Sequence, residues 1–254
     1  MKRIESKQNP HVKEWKKLLT KKGRNRSGRF LIEGPHLVQE ALNSGVEIEE
    51  WIVEEGGAVY PFEQKMEDRS LFVATSSVIK EISETTHSQG IFAVCRMNEQ
   101  VLQEELHGGF LLVDGVQDPG NVGTMIRTAD AAGLSGVILG QDCVDLYNGK
   151  VLRATQGSLF HLPVLEGDLI QWMADFKDQG VPVFGTALQG GKPYTEVQSE
   201  RNFALIVGNE SNGVRAELLE EADESLYIPI HGQAESLNVS VAAGILMYGL
   251  RNQA

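Results

Sequence analysis

The chain of 254 residues is 41% hydrophobic and 23% charged, which is the composition of an ordinary globular protein with one large core or two modest ones. Its N-terminal residues, MKRIESKQNP, lack the apolar segment of a signal peptide, and no apolar run approaches the ~18–20 residues of a membrane span. Two cysteines, Cys95 and Cys143, are too few for a disulfide framework. A cytoplasmic protein with two buried thiols is therefore expected.

The formal net charge of −12 is distributed unevenly along the chain. Residues 1–30 contain eleven Lys and Arg against two Glu, a local charge of +9, whereas the remaining residues sum to −21. A basic arm on an acidic body is typical of proteins that bind phosphates, although a solvated terminus would have the same composition. Trp15, Leu18 and Leu19 predict a short amphipathic helix within this arm.

The residues after the arm predict a small α/β/α domain. Helical spacing of apolar residues covers Phe30–Gly45, strand-like runs follow at 50–53, 70–74 and 91–95, and residues 78–82 have the pattern of a short helix. A polar stretch comes next. The predicted organisation is a basic arm at 1–29, a small domain at 30–97, a linker at 98–109 and a second domain at 110–254.

Strands and helices alternate regularly from residue 110 onward. The predicted strands are 110–114, 135–140, 181–187, 203–207 and 225–230, and the predicted helices are 122–133, 148–157, 167–179, 214–221 and 237–251. Because these strands are short continuous apolar runs, they predict a parallel sheet that is covered on both faces. The fold class expected for this domain is therefore α/β.

Three polar loops that contain glycine follow strands of this second domain. They cover residues 118–127, 208–213 and 228–240. Because ligands of open α/β sheets bind beyond the carboxyl ends of the strands, three such loops indicate one composite site. Ser236, Asn238 and Ser240 are more than the capping of one helix requires, although a plain strand–loop–helix junction is an alternative.

The motifs in these loops resemble those of the SpoU (TrmH-type) branch of the SPOUT RNA methyltransferases. They are Asn121-Val-Gly-Thr-Met-Ile-Arg127, Val207-Gly-Asn-Glu210 and Ile228-Pro-Ile-His-Gly-Gln-Ala-Glu-Ser-Leu-Asn-Val-Ser240. Upstream, residues 30–41 resemble the start of the ribosomal-protein-like RNA-binding domain that many members carry. The resemblance implies a parallel-sheet SPOUT domain with a C-terminal trefoil knot, which topology rules alone would not predict. It also implies a homodimer.

The same resemblance implies S-adenosylmethionine-dependent methylation of a ribose 2′-hydroxyl of RNA. Ribosomal RNA is favoured over transfer RNA because of the additional N-terminal domain. The implied catalytic residues are Arg127, Asn121, Glu210, Ser236 and Asn238, and the implied cofactor-binding residues are Gly208, Ile228, Leu237, Thr186 and Ala187. RNA contacts are predicted for Lys21, Lys22, Arg24, Arg26, Arg29, Lys150 and Arg153.

Several of these residues also have a purely structural interpretation. Arg127 could form an ion pair with Asp130 or Glu210, and Glu210 could cap the following helix or orient Arg127 or Asn121. Lys150 and Arg153 lie on one helical face and could be surface charges. His231 is expected to be a hydrogen-bonding loop residue rather than a general base. The C-terminal helix of small residues could pack within one chain instead of in a dimer.

Other function classes fit the sequence less well. Gly120 and Gly123 have GxxG spacing, which is not the GxGxxG of a dinucleotide site, and no P-loop motif is present. The six His are scattered without metal-ligand spacing, so no metal is expected. A non-catalytic RNA-binding or assembly protein of the same fold is an alternative, and it would fail to bind S-adenosylmethionine.

Overall fold

The computed structural model describes residues 1–58, 60, 66, 70–98, 100–102, 104–188, 190–197 and 201–251. The chain forms two compact units: the N-terminal unit comprises 1–99 and 145–160, and the C-terminal unit comprises 100–144 and 161–254. The predicted linker 98–109 lies partly outside the described residues. None of the helices in the described ranges has the length and apolar character needed to cross a membrane.

The helices and strands have the following bounds. The strands are β1 (Lys2–Ile4), β2 (Arg29–Glu33), β3 (Ile48–Glu54), β4 (Leu71–Ala74), β5 (Ile91–Arg96), β6 (Gly109–Val113), β7 (Gly136–Leu139), β8 (Val164–Glu166), β9 (Val183–Thr186), β10 (Lys192–Pro193), β11 (Phe203–Val207) and β12 (Glu224–Tyr227). The helices are α1 (Pro10–Lys17), α2 (Lys21–Ser27), α3 (Pro35–Asn43), α4 (Ser76–Ile82), α5 (Pro119–Ala131), α6 (Gly149–Thr155), α7 (Leu169–Asp178), α8 (Ala216–Glu221) and α9 (Val239–Arg251).

The N-terminal unit contains a five-stranded sheet in the order β1-β4-β3-β5-β2. Strands β1 and β3 run parallel to β4, whereas β5 runs antiparallel to β2 and β3. The predicted amphipathic helix is present as α1, which buries Val12 and Trp15 but ends at Lys17, before Leu18 and Leu19. Because β1 pairs with β4 and α1 packs into the core, residues 1–29 are an integral part of this unit rather than a separate arm.

The prediction that Phe30–Gly45 is one helix was wrong. Strand β2 occupies the first part of this segment, where Phe30 and Ile32 are buried and alternate with half-buried residues. Helix α3 begins only after Gly34, whose φ of 102° ends the strand. The apolar spacing therefore corresponds to a helix only from Leu37 onward. Before that residue the chain is extended because β2 pairs with β5.

The C-terminal unit has a seven-stranded sheet in the order β10-β12-β9-β11-β6-β7-β8, and every pairing in it is parallel. The prediction of a parallel α/β domain is confirmed, with element ends shifted by a few residues. Strands β8 and β10 were not predicted. They are the two edge strands of the sheet and contain only three and two residues, which is too short for a recognisable pattern. Helices α7 and α8 pack with Phe110, Leu112 and Ile206 in one core cluster. The trefoil knot stays a prediction.

The division into units differs from the predicted domain boundaries at residues 145–160 as well. This segment, which includes α6, lies between β7 and β8 in the chain, yet it belongs to the N-terminal unit. The C-terminal unit therefore consists of two stretches of chain that flank it.

Candidate functional site

The three motif loops leave the parallel sheet at the same edge. Strand β11 lies between β6 and β9, and its last residue, Val207, pairs with Val113, the last residue of β6. Thr186 at the end of β9 pairs with Leu226 near the end of β12. The carboxyl ends of these four strands are therefore neighbours, which is where α/β sheets bind ligands.

Asn121 connects the three loops through its side-chain amide. It lies in the first turn of α5, where its backbone N–H donates to the capping carboxylate of Asp118 at 2.8 Å. Its Nδ2 donates to Glu210 Oε1 at 2.8 Å, and its Oδ1 accepts from Asn238 Nδ2 at 3.0 Å. Residues from all three motifs, far apart in sequence, thus converge on one point.

This chain of hydrogen bonds has a defined direction. An ionised carboxylate only accepts, so Glu210 requires the amide nitrogen of Asn121 on its side and leaves the oxygen for Asn238. At the other end, Asn238 Oδ1 accepts from the backbone N–H of Ser240 at 2.9 Å and from its hydroxyl at 2.6 Å. Because backbone N–H groups at a helix start only donate, both ends impose the same orientation on both amides.

Two side chains that sequence reasoning missed hold the second loop in place. Asn209 Nδ2 donates to the Gly115 carbonyl at 2.7 Å, and its Oδ1 accepts from the Ser211 N–H at 2.9 Å. Asp114, which is 2% exposed, accepts from the backbone N–H of Arg215 at 2.9 Å and from its Nε at 2.8 Å. The signal in the sequence was an acidic residue directly after an apolar strand, since a buried carboxylate requires partners.

Position 208 requires glycine because the backbone of Gly213 and Val214 passes close to it. A Cβ at this position would lie 2.1 Å from both Gly213 C and Val214 N. The loop returns at this point because the N–H and C=O groups of Asn209 and Gly213 bond each other at 3.0 and 2.9 Å. Any side chain at residue 208 would therefore displace the loop that carries Glu210.

Arg127 projects from α5 as an exposed side chain. Within the described ranges it forms no hydrogen bond or ion pair, and the two acids considered as structural partners are engaged elsewhere. Asp130 bonds His161 Nδ1 at 2.8 Å, and Glu210 bonds Asn121. The ion pair of Arg127 with Asp130 or Glu210 that the sequence allowed is therefore not formed.

The residues implied to bind the cofactor surround the same sheet edge. Gly208 is buried, Thr186, Ala187 and Ile228 are half-buried, and Leu237 is 38% exposed. Among the described residues, no backbone N–H between Ile228 and Leu237 donates a hydrogen bond. Free amides beside apolar side chains suit a nucleoside, whose ring nitrogens accept hydrogen bonds and whose faces are apolar. The structure therefore fits an adenosyl group.

Two residues of the third loop are not part of the hydrogen-bond chain. Ser236 and His231 are both exposed, and neither forms a hydrogen bond within the part of the chain that the structure describes. Elsewhere, the described His, Cys, Asp and Glu side chains form no group of three or more that could hold a metal ion.

The basic residues predicted to contact RNA all belong to the N-terminal unit. Lys21, Lys22, Arg26 and Lys150 are exposed. Arg24 is not: it is 4% exposed, its Nη1 donates to the Leu18 carbonyl at 2.7 Å, and its Nη2 is paired with Asp145. This environment does not support the prediction that Arg24 contacts RNA, because a guanidinium enclosed in this way cannot reach a phosphate.

The remaining two arginines predicted to contact RNA are half-buried beside acids. Arg29 Nη1 lies 3.3 Å from Glu50 Oε1, and Arg153 Nη1 lies 3.6 Å from Glu84 Oε2. Their charges are partly neutralised within the unit.

Comparison with known proteins gives matches over both units. The model of the SpoU rRNA Methylase family matches residues 109–248, and that of the MRM3-like substrate binding domain matches residues 9–93. The 23S rRNA (guanosine(2553)-2′-O)-methyltransferase RlmP of Bacillus subtilis is 50% identical over 99% of this chain and 100% of its own length.

Solved structures agree with these matches. The AdoMet-bound rRNA methyltransferase of Sinorhizobium meliloti is 30% identical, with a TM-score of 0.89 over 99% of this chain and 97% of that one. The SpoU methyltransferase AviRb of Streptomyces viridochromogenes, in complex with the cofactor AdoMet, is 25% identical with a TM-score of 0.85 over 97% and 98% of the two chains. The chain described here belongs to the SpoU rRNA methylase family.

Proposed function

We propose that this chain methylates the ribose 2′-hydroxyl of a guanosine in 23S ribosomal RNA. It is an enzyme, an S-adenosylmethionine-dependent RNA 2′-O-ribose methyltransferase. The choice of 23S rRNA rests on the relative RlmP, which is 50% identical over practically the whole of both chains. The observation that carries the proposal is the contact of Asn121 with both Glu210 and Asn238, which assembles the three family motifs into one site.

The cofactor pocket is formed by the edge of the sheet and the third loop. When bound, S-adenosylmethionine supplies a methyl group on a positively charged sulfur. Backbone groups of Gly208, Ile228 and Leu237 would hold it, and Thr186 and Ala187 would line the pocket from the end of β9. Holding the methyl group and the ribose oxygen in line is chiefly a task of positioning, for which the loops must be preorganised.

Arg127 binds the RNA at the reacting centre. A guanidinium is effectively always protonated, so it is a poor general base. It instead stabilises negative charge on the ribose oxygen or on an adjacent phosphate, for which its planar fork of donors is suited. The hydroxyl proton then leaves to water or to that phosphate. Asn238 and Ser236 orient the ribose, while Glu210 acts as a positioning residue through Asn121.

The variant Arg127→Ala tests this assignment. We expect methylation to be abolished. The affinity for S-adenosylmethionine, measured by calorimetry, should stay within about threefold, because no described contact joins Arg127 to the cofactor loops; threefold is well below the tenfold change that corresponds to about 1.4 kcal/mol. Arg127→Lys is the matched control, since it keeps the charge but loses the fork, and it should retain a small part of the activity. Equal loss of binding and activity would make Arg127 structural.

The substrate is tested with RNA from a strain that lacks this gene. The protein and labelled S-adenosylmethionine are incubated with ribosomal RNA and, separately, with transfer RNA, and the methylated ribose is located by mass spectrometry of nuclease fragments. Label in the 23S guanosine equivalent to position 2553 supports the proposal. Label only in transfer RNA would contradict it. No transfer to either RNA, with no cofactor binding, would favour a non-catalytic RNA-binding protein.

The enzyme works as a homodimer in the cytoplasm, with its C-terminal chain threaded through the knot. Support for the dimer comes from α9, where Val241 is 51% exposed and Tyr248 is 42% exposed. Seven residues apart, these side chains share one face of the helix. Val241→Asp should produce a monomer in light scattering, whereas Ile170→Asp on the exposed side of α7 should not. A dimer that survives Val241→Asp would place the interface elsewhere.

A further inference from the structure

The segment 145–160 lies outside the 9–93 range of the matched substrate-binding domain, yet it belongs to the same compact unit. Its contacts are specific. The ring of Tyr147 packs on that of Phe30 with centroids 4.7 Å apart, and the Gln156 carbonyl is hydrogen-bonded to His36 Nε2 at 3.0 Å. The segment is therefore attached at both of its ends to the N-terminal sheet and helices.

The beginning of α6 and the residue before the α2 cap share one small cavity. Gly149 and Leu152 line the same small cavity as Leu19, which comes just before α2 in the chain. A Cβ at Gly149 would meet the carboxylate of Glu84, so that side chain would have to move. Lys150 is the next residue along the chain, and it is exposed.

The ion pair between Arg24 and Asp145 fastens α2 to this segment. Its side chains are 5% and 17% exposed. Asp145 Oδ1 also accepts from the Tyr147 N–H at 2.9 Å, while Arg24 Nε is buried without a partner among the described atoms. A buried ion pair with an unsatisfied donor is a weak source of net stability.

The exposed faces of these two helices are basic. In α2, Arg24 points inward, and Lys22 and Arg26 lie four residues apart on the opposite, exposed face. In α6, Val151 and Leu152 are buried and Lys150 is exposed. Arg153 of α6 is half-buried, and its Nη1 lies 3.6 Å from Glu84 Oε2.

We propose that segment 145–160 completes the RNA-binding surface of the N-terminal unit and that Arg24 and Asp145 are its positioning pair. Lys150 then binds the RNA backbone together with Lys22 and Arg26, and the ion pair holds the two helices in the spacing at which all three reach phosphates. This inference rests on the proposed function only in taking RNA as the ligand. The sequence predicted an RNA contact for Arg24. Arg24 instead has the role of positioning the segment through Asp145.

The test measures binding of a transcribed 23S rRNA fragment that spans the guanosine equivalent to position 2553, at several salt concentrations. Lys150→Ala should weaken binding several-fold and lower the slope of log K against log salt by about 0.7–0.9, the value for one phosphate contact. Lys22→Ala should do the same. Lys177→Ala, which removes a lysine on α7 of the other unit that is paired with Glu221, is the control and should change neither quantity.

Asp145→Asn examines the positioning pair. It should reproduce the effect of Lys150→Ala on RNA affinity, leave S-adenosylmethionine affinity unchanged, and add little in the Lys150→Ala background, because both changes disable the same contact. Additive losses, or an unchanged salt slope in Lys150→Ala, would overturn the inference. Should Asp145→Asn fail to fold, Arg24→Lys, which keeps the charge, provides the same comparison, and the Lys150 result stands without it. RNA binding that behaves as expected without any methyl transfer would refute the proposed function and leave this inference intact.

Discussion

The contact between Asn121 and Glu210 can be tested by making its two side chains repel. Asn121→Asp replaces the donor that lies 2.8 Å from Glu210 Oε1 with a second carboxylate. Even if the two groups separate to about 4 Å, their repulsion is about 1 kcal/mol in water and about 4 kcal/mol at the effective dielectric near a protein surface. Losing a hydrogen bond to a charged group adds roughly 1.5–3 kcal/mol.

Both side chains are accessible to solvent, so the lower end of these ranges applies. A loss of about 2 kcal/mol corresponds to S-adenosylmethionine binding that is weaker by about 30-fold, provided that the cofactor requires the loops to be joined. The double variant Asn121→Asp with Glu210→Gln exchanges amide and carboxylate and restores one donor and one acceptor. It should recover most of the affinity.

Calorimetric titration of S-adenosylmethionine measures this coupling in the wild type, in Asn121→Asp, in the double variant and in a control variant. Asn212→Asp is the matched control, because it adds the same charge to the second loop at an exposed position. Equal weakening of binding by Asn121→Asp and Asn212→Asp would contradict a specific role of the Asn121–Glu210 contact, as would a double variant that binds no better than Asn121→Asp.

Three further predictions concern backbone space, acid sensitivity and thiol reactivity. Gly208→Ala should lower the melting temperature and abolish cofactor binding, because its Cβ would meet backbone atoms at 2.1 Å. Gly232→Ala is the control and should melt like the wild type, because nothing lies within 4 Å of that position. Equal melting temperatures of the two variants would contradict the steric argument. Hydrogen bonds from Lys16 and Lys7 lower the pKa of the Glu81 carboxyl from 4.5 to about 2, so their contribution to stability is present above pH 4.5 and is lost as the pH falls toward 2. Urea unfolding should therefore separate the wild type from Glu81→Gln at neutral pH and bring them together in acid; a constant difference would speak against it. Cys143 is half-buried, and this partial burial raises the pKa of its thiol to about 11. Iodoacetamide at pH 8 should therefore label it far more slowly in the native protein than in urea, and fast native labelling would contradict the raised pKa.

Local sequence patterns were sufficient for most of the C-terminal unit. Strand β11 occupies the predicted residues 203–207, because a central parallel strand buried on both faces must be a continuous apolar run. The same reasoning failed at Phe30–Glu33, where apolar spacing fits both a helix and a strand and pairing with β5 decides between them. The shortest edge strands have too few residues for any pattern.

At the site, the amino-acid sequence establishes the residue types and their order. It contains the three motifs, with Arg127 in the first and a glycine at 208 in the second. Folding brings Asn121 between Glu210 and Asn238, which are 89 and 117 residues away along the chain. Folding also buries Arg24 against Asp145 and leaves Lys22 exposed, although both are basic residues of one short helix. The physical reason is that composition and spacing report on neighbours along the chain, whereas burial and the pairing of charges depend on which distant segment packs against each face.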